Sequence, residues 1–241
     1  MPLSTRREFV ILNMSKKAEL LTGYFPNIYL SVTSLLQGIA LSQLVAIILK
    51  YLEIIPKPWG NTQVLPLLLM LLVIFIVWHH YAIGIFYLRW FPNIIDTLVP
   101  FLVGIGQFVL ISYINIETNL TEIQIIPWTY GYAIFLIIGS LAYFSASWRL
   151  DPDLFINVMS KEASLKHAEL TKKHFTLSGC SILGQGIFAF LIALTQTDIL
   201  LIGSILLLVI HLVLFEFALM NSIKPHYIKA MDEFQEALDK Q

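Results

Sequence analysis

Residues 64–88 read VLPLLLMLLVIFIVWHHYAIGIFYL, a stretch without one charged side chain. A bilayer core about 30 Å thick needs about 20 apolar residues in a helix to cross it, so this stretch predicts a transmembrane span. Working outward, five further stretches qualify: 28–50, 94–115, 127–147, 176–196 and 199–222. Of the 241 residues 57% are hydrophobic and 13% charged, with a mean hydropathy of +0.76. Soluble domains carry about a quarter charged residues. With half that supply the surface cannot be covered for water, and lipid has to cover it. The expected fold is an all-α integral membrane protein: a six-transmembrane-helix bundle forming one domain over 1–222, with a tail helix over 223–241.

Orientation follows from the basic residues, which collect on the cytoplasmic side of membrane proteins. One face receives Arg6, Arg7, Lys16, Lys17, Arg89, Arg149, Lys161, Lys166, Lys172, Lys173, Lys224, Lys229 and Lys240; the other receives Lys50 and Lys57. Thirteen against two, with no loop dissenting, puts residues 1–22, 89–93, 148–175 and 223–241 in the cytoplasm and both termini with them. The first apolar run is too long for a signal peptide and lacks a small-residue cleavage site, so it reads as a retained span. Tyr24, Trp59, Trp90, Trp128 and Trp148 all fall near span ends, where amphipathic rings are stable. Net charge is −1 and no long basic run exists, which argues against a nucleic-acid partner. The bilayer of the cell inner or plasma membrane is the expected surrounding, and a homo-oligomer or a cytoplasmic protein is compatible with it.

The cytoplasmic segments read as helices. Asp151-Pro152 is an N-cap followed by proline at the first helical position, opening a helical loop over 151–175. Tyr227, Met231, Phe234 and Leu238 give the tail one apolar face, which docks either on its own protein and the bilayer or on a partner. His167 and His174 share a face of the loop helix and read as solvated.

Polar residues inside spans are the candidate site, because such groups need partners or water. Span two carries His79 and His80, span six carries His211 and Glu216, and Asp96 opens span three, where it either caps the helix or joins the path. Successive residues point about 100° apart on a helix, so His79 and His80 do not readily face one ligand. His211 and Glu216 are five residues apart, about 7.5 Å along the axis, a distance that one water bridges.

A weak repeat adds Gln37, Gln107 and Gln185. Ser31-x-x-Ser34-Leu-Leu-Gln37-Gly38-Ile39 in span one parallels Ser178-x-x-Ser181-Ile-Leu-Gly184-Gln185-Gly186-Ile187 in span five, and span three holds Gly106-Gln107. The three amides fall near mid-membrane and form a polar belt that either glues helices together or lines a pathway.

Trp78-His79-His80 in span two, the turn at Asn93 and Pro100-Phe101 in span three are together similar to the endolysosomal potassium-channel family and its bacterial relatives. The likeness covers spans two to four. Where that family has Phe-Ser-Asp in its first span, Tyr29-Leu30-Ser31-Val32 stands here, and the chain is not identified as a member.

No zinc-type spacing, phosphate loop or nucleophile elbow is present, so no enzyme activity and no metal is expected. Haem between His79 or His80 and His211 is the residual cofactor reading, and no cofactor is expected. Cys180 stands alone, so no internal disulfide forms. The expected function is channel-like or transporter-like movement of a small ion or proton. The alternative is a non-conducting subunit or scaffold that docks a cytoplasmic partner through 151–175 and 223–241.

Overall fold

A computed structural model describes residues 30–50, 61–88, 94–114, 125–156, 159–195 and 198–239. These form helices α1 (Leu30–Lys50), α2 (Asn61–Leu88), α3 (Ile94–Ile114), α4 (Ile125–Arg149), α5 (Lys161–Thr195), α6 (Asp198–Ala218) and α7 (Lys224–Asp239). A 3₁₀ turn (Pro152–Phe155) precedes α5 and a π turn (Leu219–Ile223) joins α6 to α7. No strand occurs among the described residues. Five of the helices, α1, α2, α4, α5 and α6 with its continuation, are long and apolar enough to cross a membrane; the apolar part of α3, Leu98–Ile114, is shorter. The chain is a multi-pass membrane protein. Tyr24, Trp59 and Trp90 lie outside the described residues.

Each long helix turns its apolar surplus outward. On α6, Leu206, Val209, Ile210, Val213, Leu214 and Phe217 are exposed, while Ser204, Leu208, His211 and Phe215 are buried. Helical spacing produces both stripes, and lipid, being as apolar as leucine, covers the outer one.

The most extensive helix pairing among the described residues is α4 with α5. Small residues make that approach possible. A Cβ added at Gly186 would meet Ile137 Cγ1 at 3.0 Å and the Ala133 carbonyl oxygen at 3.3 Å, and one at Gly179 would meet the Phe144 ring at 2.8 Å. On α5 the buried positions recur every seven residues, as Ser164, Thr171, Ser178, Gln185 and Ile192, and again as Ala168, Phe175, Ile182 and Ala189. A seven-residue repeat keeps one seam against a neighbouring helix over the whole length.

Three expectations are corrected. Trp128 is not an interfacial ring: it is wholly buried, stacked on Tyr132 at 5.2 Å, while Trp148 is 88% exposed. Position near a span end fixes depth and leaves the helix face open. The Asp151 cap exists, its side chain accepting from Asp153 N at 3.0 Å, but it opens only a single 3₁₀ turn. The long helix starts afresh at Lys161, where Ser160 Oγ accepts from Ala163 N at 3.3 Å, and it runs unbroken into the membrane stretch. His167 and His174 are buried, not solvated, because the 3₁₀ turn, α7 and the foot of α6 cover that face.

The tail helix docks on its own protein. Ala230 and Tyr227 of α7 pack into a cluster with Leu150, Phe155, Met159 and Ala168. His167 lies edge-on to Phe155, its ring 4.7 Å away, and faces His226 at 6.1 Å. Burial of the His226 ring, with Lys166 beside it, holds this imidazole below its ordinary titration range, so it is neutral at pH 7. Met231 and Phe234 are half-buried on the same helix, and the side chain of Leu238 lies outside the described residues.

Candidate functional site

The polar residues of α2, α5 and α6 meet beside Tyr143 of α4. His79 on α2 bonds through Nε2 to Glu216 Oε1 on α6, a contact half open to the surroundings. Phe75, one turn before His79, stacks on its ring at 5.7 Å. His80 points the other way, and its Nδ1 bonds to the hydroxyl of Tyr143 on α4. The pair therefore divides, as the 100° step between neighbours requires.

Phe215 organises the buried part. The His80 ring stacks on it at 3.9 Å, and the His174 ring of α5 lies against it at 4.2 Å. His211 sits edge-on to His80 at 5.5 Å. Its Nδ1 shares a hydrogen bond with Ser181 Oγ of α5 at 3.1 Å, and Gln185 Nε2 donates to the same oxygen at 3.5 Å. A chain of polar groups thus leads from half-exposed Glu216 through His79, His80 and His211 to exposed Ser181 and buried Gln185. Steps between rings along it are 6.0 Å and 5.5 Å.

Three ring nitrogens in this cluster, Nε2 of His80, His174 and His211, are buried with no hydrogen-bond partner among the described residues. Buried polar atoms are ordinarily paired, and exceptions concentrate where a group has a task such as proton handling. Imidazole is suited to that task, because it can take a proton on one nitrogen while releasing one from the other. Among the described residues no three His, Cys, Asp or Glu side chains are grouped to hold a metal ion.

Of the sequence candidates, His79, His80, His211 and Glu216 come together. The partner expected for Glu216 is corrected: His79 holds it, not His211. Five residues on an α-helix turn a side chain through about 140° beyond a full circle, so His211 and Glu216 face different neighbours.

The glutamine belt divides as well. Gln107 Nε2 donates to Gln37 Oε1 at 3.0 Å, a buried bond joining α3 to α1, whereas Gln185 belongs to the histidine cluster. The two flanks of that face of α1 are tied further, by Trp78 Nε1 donating to Ser34 Oγ at 3.3 Å and by Gln43 Nε2 donating to Ser112 Oγ at 3.2 Å. These bonds join α1 to α2 and α3. Asp96 stands in the first turn of α3, and its side chain lies outside the described residues.

Tyr143 and His174 were not among the candidates. For His174 a signal existed, since His167, His174 and Ser181 recur at seven-residue spacing, the period of a buried seam. Tyr143 carried none, as tyrosine is common in spans.

No family model matches the sequence, and neither a curated protein nor a solved structure is similar enough to count as a relative.

Proposed function

We propose that this protein moves protons, or a small ion coupled to them, across its membrane through the His79–Glu216, His80–Tyr143 and His211–Ser181 contacts, and that it is not an enzyme. The observation that carries this reading is the buried histidine cluster itself. Four imidazoles and a carboxylate are costly in a membrane-spanning bundle unless something is gained, and intramembrane ionisable groups mark ion and proton paths by default. The scaffold alternative loses its best surface, because the apolar face of α7 around Tyr227 and Ala230 is spent on the protein's own α5 region.

The test is flux. Purified protein in liposomes is expected to dissipate an imposed pH gradient well above the rate of empty liposomes. Gradients of protons, potassium and sodium that all persist would return the non-conducting subunit to first place.

With this function goes a topology of six spans, with α3 as the third and both termini cytoplasmic, resting on the thirteen-to-two distribution of basic residues. In a Cys180→Ser background, cysteines at Asn61 or Asn119 are expected to react with an impermeant thiol reagent applied to intact cells. Cysteines at the exposed positions Glu169 and Gln235 are expected to stay unlabelled until the membrane is opened. Labelling at Glu169→Cys from outside would invert the topology.

A further inference from the structure

We infer that α7 is a pH-operated latch: it lies on the α5 region while His226 is neutral, and protonation of His226 releases it about a hinge at the π turn and Pro225. The docked contact is small. Ala230, 4% exposed, and half-buried Tyr227 reach Leu150, Phe155, Met159 and Ala168, and His226 stands beside Tyr227 in the same contact. The His226 ring lies nearly parallel to that of His167 on α5, at 6.1 Å and 18°, and the Tyr227 ring lies against His167 at 5.1 Å. Nδ1 of His226 is enclosed there with no hydrogen-bond partner among the described residues. A neutral imidazole can carry its proton on Nε2, but an imidazolium carries one on each nitrogen. Protonation therefore puts an N–H without an acceptor, and a charge, into an apolar contact, and both oppose docking.

The surrounding charges act in the same sense. Among the described residues they come from Lys166 of α5 and from Lys229 and Glu233 of α7; the 3₁₀ turn brings only the Phe155 ring, against His167. Lys229 Nζ and Glu233 Oε1 pair at 3.6 Å and largely offset one another, which leaves Lys166. Burial first, and then Lys166, hold the docked ring below its ordinary value of 6.5, to which a released α7 returns. Docking is thus at full strength above about pH 6.5 and weakens as the pH falls below it. The hinge lies where helix geometry is already interrupted. Leu219–Ile223 is a π turn, and Pro225, the second residue of α7, has no N–H to bond back to the preceding turn. Motion there carries α7 away and leaves Phe215 and the histidine contacts of α6 in place. The latch stands whether or not the histidine cluster conducts.

Release is read directly, without flux, on full-length protein in lipid nanodiscs, where both faces of the bilayer are open to reagent. In a Cys180→Ser background, Ala230→Cys lies under the docked contact and Gln235→Cys on the exposed face of the same helix. The ratio of their labelling rates with a small thiol reagent cancels the pH dependence of the thiol itself. Between about pH 7.5 and about pH 5.5 the ratio of buried to exposed labelling is expected to rise several-fold, with about tenfold as the ceiling for one linked proton. In His226→Gln, which takes up no proton, the ratio is expected to stay low and flat.

A ratio that stays flat with His226 present would overturn the latch, and one that rises as steeply in His226→Gln would overturn the role of His226. Spin labels at Glu169→Cys and Gln235→Cys, both exposed positions, give a second reading that leaves the interface intact. Their separation is expected to lengthen and broaden at the lower pH with His226 present, and to stay fixed in His226→Gln. An unchanged separation in both would overturn the latch. If Ala230→Cys undocks α7 at every pH, these distances decide alone.

Discussion

Replacing Glu216 by glutamine is expected to cut proton flux by about a hundredfold or more, the usual scale for losing a positioned proton-transfer group, while changing thermal stability little. The carboxylate is the half-exposed end of the polar chain and the only acidic group described within it. Glutamine keeps its length and can still accept from, or donate to, His79 Nε2, so the helix contact persists. What it cannot do is carry a proton. An ion pair this open contributes about 0–1 kcal/mol, so the unfolding temperature is expected to move by a few degrees at most. His79→Gln is expected to reproduce the loss, and the double variant to be no worse than either single one, because the two residues act as a unit. His80→Gln differs in kind. It disturbs a buried ring stacked on Phe215 and bonded to Tyr143, so flux and stability should fall together. Flux measured beside thermal unfolding separates these cases. Full flux with glutamine at 216 would end the relay and leave Glu216 as a helix contact.

The largest expected loss of stability comes from Gly186→Leu. Its Cβ alone would stand 3.0 Å from Ile137 Cγ1, 3.3 Å from the Ala133 carbonyl oxygen and 3.4 Å from the Ile137 backbone nitrogen. Two of these three neighbours are backbone, so no rotamer change relieves them and α4 has to move away from α5. Overpacking of this kind costs about 1–3 kcal/mol, and a backbone obstacle puts this case at the upper end or beyond. Gly184, two residues earlier on the same helix, has nothing within 4 Å of its added Cβ. Gly184→Leu is therefore expected to stay within about 0.5 kcal/mol of wild type. Thermal unfolding of the two variants in the same detergent checks the contrast; equal destabilisation would mean that α4 and α5 do not meet closely at Gly186.

What the sequence made legible was where the helices lie along the chain, and what it concealed was facing. Apolar run length located the helices within a few residues: the stretch read as 64–88 is helix over Asn61–Leu88, and that read as 199–222 ends inside the π turn. Charge-poor runs register how much lipid surrounds a segment, which is a property of the segment alone. Which neighbour a side chain meets depends on two helices at once. Trp128 therefore had its place near a helix end read correctly and its surroundings not. Gln37 and Gln107 were grouped with Gln185 by depth, although their partners lie on different helices. His79, His80, His211 and Glu216 were found because ionisable residues are conspicuous in apolar sequence. Phe215, which organises them, is indistinguishable in sequence from the outward-facing Phe217 two residues on.

The π turn between α6 and α7 sets the rotational phase of everything after it. Below His211 the inward residues come at steps of four: Phe215, Leu219, Ile223 and then Tyr227. In a regular α-helix each such step overruns a full turn by about 40°, so four of them would swing Tyr227 nearly to the opposite side. A π turn closes its hydrogen bonds five residues apart and is wider, which brings steps of four back into line. Here Lys224 N bonds to the Leu219 carbonyl, spanning that interval. The five residues Leu219–Ile223 thus let one continuous helical rod present Phe215 to the histidines and Tyr227 to α5 on a common side. Removing one residue there would turn α7 by about 100° and leave α6 untouched, uncoupling the tail from the bundle without cutting the chain.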